Sequence, residues 1–115
     1  MSGLAAASAD SPNRDFSIRE SLLILGEVLY RSGRYREAVE ILRPNVEKEE
    51  DWALAYDLYF LAMSHHHLGD TARARDYYDW AVRWVSVQRD LKPENLEELA
   101  AFHAEAEKLF GSKMP

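Results

Sequence analysis

His65, His66 and His67 stand side by side in the chain, and imidazole is the commonest protein ligand for a transition metal. Successive residues of a helix project about 100° apart, whereas helical chelation uses spacings of three or four. Three histidines in a row therefore cannot converge on one ion, and structural roles are expected for them and for His103. Carboxylates are plentiful at Glu47, Glu49, Glu50 and Asp51, at Glu97 and Glu98, and at Glu105 and Glu107. Each group is local in sequence, the pattern of a solvated helix face, while acid–base chemistry needs carboxyls held across a cleft. There is no cysteine, hence no thiolate nucleophile, thiolate zinc ligand or disulfide. A phosphate-cradling glycine loop, a nucleophile elbow and a metalloprotease helix are absent as well. The expectation is a protein that is not an enzyme and uses neither metal nor cofactor.

If the chain performs no chemistry of its own, its elements must present a surface. Its 115 residues, 47% apolar and 30% charged, suffice for one modest core and are too apolar for a disordered chain. A net charge of −6 repels phosphate backbones and anionic lipid, and no basic stripe overrides it, so neither nucleic acid nor membrane is an expected partner. No apolar run approaches the ~20 residues of a membrane span, and residues 1–15 lack the basic-then-apolar order of a secretion signal. A cytoplasmic location is expected.

Residues 1–15 show no sustained period and are expected to form a disordered tail, as are residues 112–115, leaving one domain over residues 16–111. Ser17 and Glu20 have the spacing of a capping box, and Leu22, Leu25 and Leu29 with Ile24 and Val28 then recur at helical intervals up to Gly33. A second helix is expected from residue 34 to about 43, ended or kinked by Pro44. A third over 52–68 stops at Gly69, and Asp70 can cap a fourth through Ala74, Tyr78, Ala81 and Trp84. Pro93 suits the first turn of a fifth, along which Leu96, Leu99, Phe102, Ala106 and Leu109 form one stripe before Gly111.

Leu25-Gly26 and Gly33 recur as Leu61-Ala62 and Gly69, 36 residues further on. The first copy runs Leu22, Leu25, Gly26, Leu29, Gly33, Ala38, Leu42, and the second Leu58, Leu61, Ala62, His65, Gly69, Ala74, Tyr78, Ala81. This pattern resembles the tetratricopeptide repeat, a helix-turn-helix unit of ~34 residues. The resemblance implies an all-α, right-handed solenoid of two hairpins, at about residues 18–50 and 52–86, closed by a capping helix at about 93–110. Glu97, Glu98, Glu105 and Lys108 would form the polar outer face of that cap. Asn45 departs from the pattern by occupying a small apolar position, and Pro44 precedes it. Residues 61–69 and 74–82, with Phe102 to Ala106, also resemble C-terminal tetratricopeptide modules of large bacterial serine/threonine kinases and WD-repeat proteins. That likeness implies a bacterial scaffold and carries no kinase activity, since no kinase motif is present.

What the resemblance implies about function is an adaptor that binds a protein or peptide in a concave groove lined by the first helix of each hairpin. The family's groove positions fall on Glu20, Leu23, Glu27, Tyr30 and Arg31, then on Tyr56, Tyr59, Met63, His66 and His67. Positions that clamp a chaperone's terminal carboxylate in some relatives are Leu23, Glu27 and Phe60 here, which offer it no cation. Glu20 and Glu27 suit a basic or neutral partner instead. Trp80 falls on the convex face, where an exposed tryptophan would invite a partner. The alternative is structural homo-oligomerisation, a homodimer using Trp80 and the uncapped N-terminal hairpin, because two repeats are fewer than a stable array usually needs.

Overall fold

The computed structural model describes residues 11–48 and 51–111, and all regular secondary structure among them is helical. Five helices follow in order: α1 (Ser11–Arg31), α2 (Tyr35–Lys48), α3 (Leu54–His67), α4 (Thr71–Ser86) and α5 (Pro93–Phe110). Each of the first three packs on the next, and α1 and α5 both pack on α3. Two antiparallel hairpins are thus stacked, with α5 added to the same layer as α1 and α3. No described helix is long and apolar enough to cross a membrane.

The glycine stops work as their spacing predicts. Gly33, Gly69 and Gly111 adopt φ of 81°, 85° and 83°, the left-handed conformation that lets a chain leave a helix without strain. Asp70 caps α4 by accepting the Arg73 amide at 3.2 Å, and Pro93 sits in the first turn of α5. Two boundaries differ from the expectation. α1 spans Ser11–Arg31, so Ser17 lies inside the helix and not at its start. Residues 1–10 and 112–115 lie outside the described residues. α2 continues past Pro44 to Lys48, because Asn45 and Val46 beyond the proline are both buried and hold the last turn in place.

Asn45 explains its own departure from the repeat pattern. Its Nδ2 donates to Asp57 Oδ1 at 3.3 Å, and Asp57 on α3 is completely buried. Arg19 on α1 ion-pairs with Asp57 at 2.5 Å and binds Asp51 with two hydrogen bonds at 2.7 and 2.9 Å. One polar cluster therefore ties α1, the end of α2 and α3 together inside the stack. Burial pushes the Asp57 carboxyl up to about 6, against the opposing pull of Arg19 and Asn45.

α3 is the centre of the core, with Leu54 through His65 buried without interruption. A helix apolar around most of its circumference needs cover on several sides, and α1, α2, α4 and α5 supply it. Close approach within the first hairpin depends on Gly26. A methyl carbon there would stand 2.3 Å from Leu42 Cδ2, inside a fully buried leucine.

Candidate functional site

The layer of α1, α3 and α5 forms the face on which the sequence places a groove, and α5 divides it in two. At one end Arg31 of α1 binds Glu105 of α5 with both guanidinium nitrogens, the longer contact 3.0 Å, while its head lies 5.6 Å from the Phe60 ring centre on α3. This latch bridges α3. Burial first, and the Glu105 charge second, push the neighbouring Tyr30 hydroxyl up to about 12. Beneath the latch and α5, Met63 is completely buried and Tyr59 is only 2% exposed, so neither reaches the surface. Tyr59 instead meets His103 and Tyr78 edge-on.

The three consecutive histidines diverge. His65 is buried and stacks on Tyr77 at 5.5 Å, His66 lies against Phe110 at 5.1 Å, and His67 stacks face to face on Tyr35 at 4.1 Å. Burial lowers the affinity of both His65 and His67 for a proton. His66 thus packs on the end of α5 and His67 on the start of α2, with His67 still exposed. Trp80, expected on the convex face, is half-buried against the core and stacks near Tyr77 at 6.4 Å.

The accessible part of the groove is at the opposite end, where α1 and α5 stand apart over the start of α3. There Glu20, Leu23, Ile24 and Glu27 face Asn95, Glu98 and Phe102 across a floor of Trp52 and Tyr56, enclosing a cleft of about 320 Å³. Of the residues expected from the repeat pattern, Glu20, Leu23, Glu27 and Tyr56 are brought together here; Tyr30, Arg31, Tyr59, Met63, His66 and His67 are not. The Tyr56 hydroxyl donates to Glu98 Oε1 at 2.7 Å, with Asn95 Oδ1 3.1 Å away. Burial and that carboxylate raise the hydroxyl's affinity for its proton, so Tyr56 stays a donor and orients Glu98. The two hairpins that carry α1 and α3 follow one pattern.

Residues 20–44 and 58–78 match the tetratricopeptide repeat.

The matched stretches fall on α1–α2 and α3–α4, one in each hairpin, and tetratricopeptide repeats are generally protein-interaction modules. No curated protein and no solved structure matches the chain. In tetratricopeptide terms α5 takes the place of the first helix of a third hairpin, and this bears on the cap expected at residues 93–110. Glu98 and Glu105, expected on an outward polar face, bind Tyr56 and Arg31 from there, with Glu98 still exposed. Leu96, expected in the buried stripe, is 44% exposed, whereas Leu99 and Ala106 are buried. Asn95, Glu98 and Phe102 were the site residues not legible from the repeat, because α5 lies outside it. Their spacing of three and four was the available signal that they share a helix face.

Proposed function

We propose that this chain is a protein-interaction adaptor that seats a segment of a partner in the half-groove between α1 and α5. The observation that carries the reading is the cleft itself. Its floor of Trp52 and Tyr56 is aromatic and its walls are two helices, the form in which an extended or helical peptide is gripped. The rigid base is supplied by α3, so a partner meets a surface already shaped. The closed end at Arg31 and Glu105 makes the half-groove short, suited to a few residues rather than a long helix. Scaffold binding is what the repeat family generally does.

A photo-crosslinking amino acid at Ile24 is expected to join the chain to a partner in extracts of its own cells, whereas the same group at Val87, exposed and remote from the cleft, does not. The partner identified should then bind the purified protein, and Asn95→Trp, which fills the cleft, should abolish binding. Crosslinks of equal yield at both positions, or binding indifferent to N95W, would refute the reading.

A specific observation also supports self-association. Ile18, Ser21, Leu25, Val28 and Ser32 recur along α1 at alternating spacings of three and four, and all five are exposed. That is the seam one helix offers another, and it lies exposed on the N-terminal hairpin. A homodimer through α1 would leave the cleft's α5 wall untouched. Light scattering after size exclusion tests it: Leu25→Glu should turn any dimer into monomer, and a monomer for the natural chain at all concentrations would exclude it.

A further inference from the structure

We infer that the half-groove selects a basic segment of its partner, laying the aliphatic stem of a lysine or arginine on the aromatic floor and its cationic head among Glu20, Glu27 and Glu98. This rests on the groove reading above and adds the chemistry of the occupant.

The floor suits such a side chain. Trp52 and Tyr56 meet at 75° with centroids 5.8 Å apart, and Tyr56 and Phe102 at 72° and 5.9 Å, so ring faces and edges turn in several directions around one space. Long cationic side chains bury their stems on apolar surface while the head stays near water, and a cation is drawn to a ring face.

The rim selects the sign of charge. Among the described residues no lysine or arginine lines the cleft. Glu20 has no cation within ion-pair distance among the described residues. Glu98 gives one oxygen to the Tyr56 hydroxyl and keeps the other. Glu27 has Arg31 at 3.8 Å, but Arg31 is committed to Glu105 by two hydrogen bonds. Arg19, the next nearest cation on α1, is turned away to Asp51 and Asp57. Three carboxylates therefore surround an aromatic-floored space with little neutralisation from the protein itself. An acidic segment would be repelled, and a neutral apolar one would leave the rim without a partner.

The test uses the full chain, labelled with 15N, and three eight-residue peptides identical except for lysine, norleucine or glutamate at two positions. The lysine peptide is expected to shift the Trp52 indole N–H and the amides of Glu20, Glu27 and Glu98, to weaken with added salt, and to lose about fivefold in affinity on E20Q/E98Q, the loss of two partly exposed ion pairs. The glutamate peptide should leave those signals in place. Circular dichroism confirms that E20Q/E98Q keeps its helices, since neither glutamate holds a helix to another through an ion pair. If norleucine binds at the same signals as tightly as lysine, the preference for a cation is overturned while the groove reading stands. If spermidine displaces the lysine peptide and binds more tightly than it does, a free amine replaces the protein segment as occupant. If the lysine peptide leaves every cleft signal unmoved at millimolar concentration, the inference fails, and crosslinking at Ile24 independently decides the groove reading.

Discussion

Replacing Gly26 with alanine tests the packing that gives the first hairpin its shape. In an exposed helix the change would gain about 1 kcal/mol from backbone entropy. Here the new methyl carbon would meet Leu42 Cδ2 at 2.3 Å, Cγ at 2.5 Å and Cδ1 at 2.9 Å, all closer than carbon atoms normally approach. Leu42 is completely buried and has no solvent to retreat into. Overpacking of this kind costs about 1–3 kcal/mol, and at the upper end for so many short contacts. The net expectation is a loss of about 1–2 kcal/mol, seen in thermal melts followed by circular dichroism as a Tm lower by about 5–15 °C. A double-mutant cycle sharpens the test. Leu42→Ala alone should cost about 2–5 kcal/mol by leaving a cavity. Added to Leu42→Ala, the Gly26→Ala methyl enters that cavity, so the pair should be less destabilised than the two losses added, by about 1 kcal/mol or more. A Gly26→Ala protein that melts at or above the natural one, or a double variant that is additive, would refute the packing argument.

Asp57 should make stability depend on pH in an unusual direction. Its folded-state carboxyl is raised to about 6, above the ordinary ~4, so its contribution is fullest below pH ~4 and is lost as pH rises to ~6. Across that window Tm of the natural chain should fall relative to Asp57→Asn; a difference that is flat with pH would contradict the buried, raised carboxyl. Asn45→Ala removes a donor to Asp57 and should cost about 1–2 kcal/mol in denaturant unfolding, a neutral result showing that the bond contributes nothing. Arg31→Ala breaks a half-exposed pair and should cost less than ~1 kcal/mol, yet loosen the latch enough for hydrogen exchange to quicken in the last turns of α5. Unchanged exchange there would mean that Arg31 does not restrain α5.

The helices themselves were written plainly: turn glycines at positions 33, 69 and 111, an aspartate cap and a first-turn proline each act locally, where sequence and structure are nearly the same statement. Pro44 misled because its effect on α2 is decided by tertiary contacts. The burial of Asn45 and Val46 on the far side outweighs one lost backbone bond. The groove was half legible. Repeat register places Glu20, Leu23, Glu27 and Tyr56 on a concave side, but whether that side is open depends on where a helix outside the repeat comes to rest. α5 came down on α3, sealing Tyr59 and Met63 and contributing Asn95, Glu98 and Phe102 to what stayed open. Trp80 follows the same lesson, since packing against the core decides its exposure.

The uninterrupted burial of α3 makes the molecule behave unlike a string of interchangeable beads. In a long repeat array each unit contributes its own stability and a cut sheds whole units. Here α1, α2, α4 and α5 all close on one helix, so a chain severed between α2 and α3 leaves an N-terminal hairpin without the surface it covers and a C-terminal piece with one side of its central helix bare. The two halves should be poorly ordered apart and should recover structure only on mixing, as a split protein does. Order would then spread outwards from α3 in a single cooperative event, and the cleft would exist only when the whole chain is assembled.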